Sequence, residues 1–219
     1  MDPRSRHHER LGLKIKTAGG FVGGNLKASM PDLLRKYGIE TLRINQHTDC
    51  GAMAIVHSGV KDRKSVDGTT YNSLVKPFMH YIRRPEDEKK LPGIAMGIQI
   101  CIAAGWKKEG LKKISCSMSE TVGKVEGPKT LLLTAPFFSR SEDLVNSIGL
   151  SPERTYIITL VPGNIHRMSV DPKIAVRYLG INNVVLYKNG SDDTSVIERF
   201  WHATRSKRID LGAKVERID

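Results

Sequence analysis

Two residues have the types and spacing of a metal-ligand pair: His47 and Cys50, three apart in His47-Thr48-Asp49-Cys50. An imidazole nitrogen and a thiolate sulfur are donors that zinc takes, at roughly 2.0–2.3 Å in a tetrahedral set. Two donors do not make a centre. Catalytic zinc needs three protein ligands and an open position for water. Taken alone, the spacing equally suits a capping imidazole and an ordinary buried cysteine. The remaining cysteines are Cys101 and Cys116. Three cysteines form an odd, sparse set, which argues against a disulfide scaffold. Cys101 lies among Ile98, Ile100 and Ile102 and reads as a core residue. Cys116 alternates with Ser115 and Ser117 as on a strand.

The elements that must position the pair are legible around it. Leu26, Met30, Leu33 and Leu34 recur at helical spacing as far as Tyr37, and Gly38 stands where a C-terminal cap belongs. Glu40 to Asn45 reads as a strand, with Leu42 and Ile44 on one face. His47 therefore emerges at a strand's C-terminal end, where open α/β sheets hold their ligands. A helix is predicted to begin over Met53–Val56, with a polar loop over Gly59–Thr70 and a second helix over Ser73–Arg84. A charged linker, Arg84 to Lys90, closes at Pro92-Gly93. Ile94 to Ala104 is apolar all round and reads as a buried helix. Ile15–Ala18, Lys112–Met118 and Val122–Val125 read as short strands. After Glu126-Gly127-Pro128, strands at Thr130–Thr134, Thr155–Val161 and Asn183–Tyr187 alternate with helices at Ser141–Ile148 and Pro172–Leu179. That alternation predicts a mainly parallel sheet with flanking helices.

The second half echoes the first. Leu34 to Ile44 has a counterpart in Val176 to Leu186. Ala18-Gly19-Gly20 matches Val161-Pro162-Gly163, and Leu11-Gly12-Leu13 matches Ile148-Gly149-Leu150. Two related halves are expected, 1–125 and 126–219. In the second, Asn189 stands for His47 and Asp192 for Cys50, so only the first half carries metal donors. The strand Lys129–Thr134 opens the second half; its counterpart in the first would precede Met1.

The order of motifs over the first fifty residues resembles the β-class carbonic anhydrase family. Met1-Asp2-Pro3-Arg4, Leu11-Gly12-Leu13, Ala18-Gly19-Gly20 and His47-Thr48-Asp49-Cys50-Gly51 follow one another as that family's motifs do. The resemblance implies a β-carbonic-anhydrase-like α/β fold and a zinc lyase that hydrates carbon dioxide reversibly to bicarbonate. His47 and Cys50 would bind Zn2+. Asp2 and Arg4 would be the catalytic dyad, the arginine holding the aspartate by a charge-assisted pair. Zinc acidifies its water to a pKa near 7, which makes hydroxide available. The family's first cysteine would stand immediately before Met1 and has no counterpart, and Thr17 stands where the family has Asn. A start lying upstream, a donor such as Cys101 or Cys116, or a family member without activity would each account for this. His7 and His8 could shuttle protons near the site or be solvent-exposed residues at a helix start.

Bulk properties narrow the partners. The 219 residues carry 35 Lys/Arg against 23 Asp/Glu, a net charge of +12. Residues 1–125 hold 22 of the cations and 12 of the anions. Such a basic half can meet an acidic partner or RNA. Aromatics make up only 6% of the chain and do not interleave with the basic runs, so nucleic acid is not the expected partner. A binding protein for an acidic partner or RNA is the alternative to the enzyme. No apolar run nears the roughly 20 residues that cross a bilayer, and the start is polar, so a cytoplasmic protein is expected. By the same resemblance it should form a homo-oligomer and take carbon dioxide or bicarbonate as its small-molecule substrate.

Overall fold

A computed structural model of the chain describes residues 12–17, 24–79, 81, 90–121, 125–190 and 195–219. The chain is mixed α/β, with parallel sheets and flanking helices. It divides into two compact units, Gly19–Thr121 and the remainder, Met1–Ala18 with Val122–Asp219. The sequence reading divides the chain at 125/126 and keeps its opening residues with the first half. The compact units divide after Thr121 and group the opening residues with the C-terminal unit.

In the unit Gly19–Thr121, helix α1 spans Gly24–Tyr37 and buries Leu26, Met30, Leu33 and Leu34, the stripe the sequence marks. Gly38 takes φ 58°, a left-handed turn that only glycine enters without cost, and the chain leaves as strand β1, Thr41–His47. Helix α2, Gly51–Lys61, follows and runs well into the expected loop. A short 3-10 turn at Arg63–Ser65 and the helical turn α3, Gly68–Thr70, occupy the rest of it. Asp67 caps α3 by accepting from the amides of Thr69 and Thr70. Over the described part of the helix expected at Ser73–Arg84 stand a π-turn, Tyr71–Val75, and the short α4, Lys76–Met79; His80 and Ile82 to Arg84 lie outside the described residues. Pro77 is the physical reason: its nitrogen offers no hydrogen and its ring crowds the preceding turn, which widens to accommodate it.

Helix α5, Leu91–Ala104, starts at the Pro92-Gly93 pair expected to end a linker, because proline is well suited to a first helical turn. Its composition suggests burial on all sides, yet only one side is buried. Leu91, Ala95, Ile98, Gln99 and Ala103 are covered, while Ile100 and Cys101 are exposed. Strand β2, Lys113–Ser119, then lies parallel to β1, with Thr41 opposite Lys113 and His47 opposite Ser119.

The C-terminal unit holds a four-stranded parallel sheet in the order β4-β3-β5-β6. Its strands are β3 Lys129–Thr134, β4 Thr155–Thr159, β5 Ile181–Tyr187 and β6 Lys214–Ile218. Between them lie α6 Ser141–Ser147, α7 Ile165–Met168, α8 Val170–Leu179 and α9 Ser195–Arg205. The strict alternation of a strand splits the core in two. Leu131, Leu133, Val184 and Leu186 face Met168, Ala175, Val196 and Phe200 from α7, α8 and α9. Leu132, Ile157 and Val185 face Phe137 and, from α6, Leu144 and Val145. Buried on both faces, β3 and β4 read as unbroken apolar runs, as parallel strands do. The strand expected over Ile15–Ala18 is absent from its described residues. Lys14 makes an isolated antiparallel bridge with Phe137, and Lys16 exchanges hydrogen bonds with Thr159. No helix among the described residues is long and apolar enough to cross a membrane.

Candidate metal centre

His47 and Cys50 are brought together. His47 closes β1, and Cys50 occupies the N-cap position of α2 with extended backbone, φ −66° and ψ 123°. Between them Thr48 and Asp49 form a tight turn in which Asp49 takes φ 49°. Aspartate tolerates that left-handed conformation better than most residues with a Cβ. His47 and Cys50 are 9% and 5% exposed, so both donors sit below the surface.

The surroundings of Cys50 favour its thiolate. Burial is the largest influence on Cys50 and pushes its thiol up. The His47 imidazole opposes it with a side-chain hydrogen bond and with its charge, and the first-turn amides of Met53 and Ala52 add to that. The balance lies with ionisation, and Cys50 loses its proton below the ordinary thiol value. The amides act by proximity at the helix start, without a capping hydrogen bond of good geometry. The Nδ1 of His47 stands 3.0 Å from the carbonyl oxygen of Thr48. A carbonyl can only accept, so Nδ1 carries the proton and Nε2 is the nitrogen left to take a proton or a metal.

The turn is also tied to the end of β2. The Thr48 amide donates to the Ser119 carbonyl at 3.0 Å. The Thr121 amide donates to the Thr48 hydroxyl oxygen at 3.3 Å, and the Thr121 hydroxyl donates to Oδ2 of Asp49 at 3.3 Å. The sequence reading did not single out Thr121, which stands 73 residues beyond Thr48. Nothing local in the sequence marks such a contact.

Other expected donors do not join the pair. Among the described residues no three His, Cys, Asp or Glu side chains gather as a metal site. Cys101 and Cys116 are exposed, the first contrary to its expected place in the core, and neither supplies a third donor. Asp2, Arg4, His7, His8 and Asp192 lie outside the described residues. Asn189, the expected counterpart of His47, follows β5 and donates through Nδ2 to the Ala135 carbonyl at 3.1 Å. Comparison with protein-family models, curated proteins and solved structures finds no match to this chain.

Proposed function

We propose that this chain is a zinc-binding protein of the β-carbonic-anhydrase type, which hydrates carbon dioxide to bicarbonate at a centre built on His47 and Cys50. The observation that carries the reading is the contact between the His47 imidazole and an ionisation-prone Cys50 at the C-terminal end of a parallel strand. The donors suit zinc by type: an imidazole whose Nε2 can bind a metal once its proton is released, and a thiolate whose charge offsets part of the dication. They make two of the three protein ligands that a catalytic centre requires.

His47 and Cys50 would hold the zinc, which would acidify its water to a pKa near 7 and so provide hydroxide for carbon dioxide. The chain's own residues do the rest. Thr48 fixes the His47 tautomer through its carbonyl, and the start of α2 favours the charged state of Cys50. Asp2 and Arg4 take the part of an orienting carboxylate and its holder on the resemblance alone.

The two-halves reading belongs to the same proposal, and registry supports it. Thr41 stands opposite Lys113 and Asn183 opposite Lys214, and the pairs continue in step through Asn45–Ser117 and Tyr187–Ile218. A left-handed glycine, Gly38 or Gly180, precedes each first strand. In the C-terminal unit β3 lies on the other side of β5, and the segment following it, Ala135 and Pro136, meets Asn189.

Metal analysis of the purified chain should give about one zinc per chain, lost in Cys50→Ser, with stopped-flow hydration of carbon dioxide following zinc content. Folded protein that takes up no zinc at neutral pH would overturn the reading.

A further inference from the structure

We propose that the outer edge of β2 pairs with a second copy of this chain, the two β2 strands running antiparallel about a twofold axis at Cys116. Among the described residues β2 pairs with β1 alone. That pairing fixes the direction of its backbone groups. The Lys113 amide donates to the Glu40 carbonyl, and the Ser119 carbonyl accepts from the Thr48 amide. Residues 113 and 119 therefore turn their amide and carbonyl toward β1. These groups change side with each residue along a strand, so those of Ser115 and Ser117 face β1 as well. Those of Ile114, Cys116 and Met118 face the opposite edge. Such an edge is a template for another strand.

The side chains select the occupant. Lys112, Ile114, Cys116, Met118 and Glu120 follow one another at every second position and so share one face. Read backwards, this series is its own complement. With Cys116 opposite its own counterpart, Ile114 meets Met118 of the partner subunit and Lys112 meets Glu120 of the partner subunit. Met118 is 45% exposed, and its apolar partner would cover it. Lys112 and Glu120 are exposed, and Lys112 already pairs with Glu40, so the partner's Glu120 adds a second carboxylate to that cation. In this register the edge-facing residues stand opposite one another, and each such pair exchanges two hydrogen bonds. A shift by one residue sets edge-facing groups against groups already bonded to β1. A shift by two loses both charge pairs, and an in-register parallel copy sets lysine against lysine. The contact is isologous, as a twofold dimer requires, and it turns two small sheets into one of four strands.

The test uses the full chain. Sedimentation equilibrium should show a dimer that dissociates on dilution. Lys112→Glu and Glu120→Lys each set like charges opposite one another and should weaken association about 5-fold or more, while the protein carrying both changes should recover it. Hydrogen exchange supplies a reading that only this edge gives. In the dimer the amides of Ile114, Cys116 and Met118 should exchange as slowly as those of Ser115 and Ser117; in the monomer only the serine amides should be slow. A chain that stays monomeric at every concentration overturns the proposal. So does a dimer in which the Ile114, Cys116 and Met118 amides exchange fast, or one in which the double reversal associates no better than the single changes.

Discussion

Replacing Gly59 by alanine tests how tightly α2, the helix that begins at Cys50, is set against its neighbours. Gly59 is buried on α2, and a Cβ placed there would lie 2.6 Å from Cγ2 of Val75, 3.2 Å from its Cγ1 and 3.1 Å from Cγ2 of Val66. Carbon atoms in contact ordinarily rest at about 3.5–4.0 Å, so the closest approach is about 1 Å too short. Val75 is 0% exposed, and its branched side chain is stiff about χ1. Both of its methyls are already crowded, so rotating it exchanges one clash for another. Alanine in a helix interior normally gains about 1 kcal/mol over glycine, and overpacking costs about 1–3 kcal/mol. The expected result is a net loss of about 1 kcal/mol. Urea unfolding followed by Trp106 fluorescence, in a Trp201→Phe background, reads this unit by itself, since the chain has two tryptophans and Trp106 is buried. Gly59→Ala/Val75→Ala should be less destabilised than the two single changes added together, because the contacts are direct. A Gly59→Ala protein more stable than wild type, as an ordinary helix substitution would be, would refute the packing argument.

His47→Ala leaves burial as the main influence on Cys50, opposed only by the Met53 and Ala52 amides, so its thiol should ionise at higher pH than in wild type. Ultraviolet thiolate absorbance in a Cys101→Ser/Cys116→Ser background measures this, and an unmoved titration counts against the pair. Because the folded thiol ionises below its ordinary value, Cys50 contributes stability that is full above the unfolded-state pKa and lost as pH falls through the lowered folded one. In metal-free protein Cys50→Ser should therefore remove stability mainly on the alkaline side. At Gly38 and Gly180 an added Cβ meets nothing within 4 Å, yet φ is +58° and +65°. Alanine at either should cost about 1–2 kcal/mol by thermal melting, from backbone strain alone. If the basic residues of the first unit hold an acidic partner, heparin retention should fall steeply with salt and drop in a Lys107→Glu/Lys108→Glu/Lys112→Glu protein. Retention that ignores both would dismiss that alternative.

Periodicity alone determined α1, β1 and α8, because each buries one face and repeats its apolar residues with the period of its backbone, while β3, buried on both faces, was legible as an unbroken apolar run. Motif spacing placed His47 and Cys50 at a strand end on the same grounds. Elements whose partners lie far away in sequence were less legible. Helix α5 is apolar all round, so its pattern does not say which side a sheet covers; contact with the β1–β2 sheet decided that, leaving Cys101 exposed. Helix α9 and strand β6 formed no part of the sequence reading, although Glu198 and Arg217 join them by two hydrogen bonds, at 2.7 and 3.0 Å. The sequence by itself thus determined that His47 and Cys50 lie together at the end of a strand, since that placing is local in the chain. Only the tertiary structure decided what holds the pair. Thr121 reaches Thr48 across 73 residues by virtue of the parallel register of β1 and β2, and the ionisation of Cys50 depends on burial and on the direction of a neighbouring ring, quantities that exist only once the chain is folded.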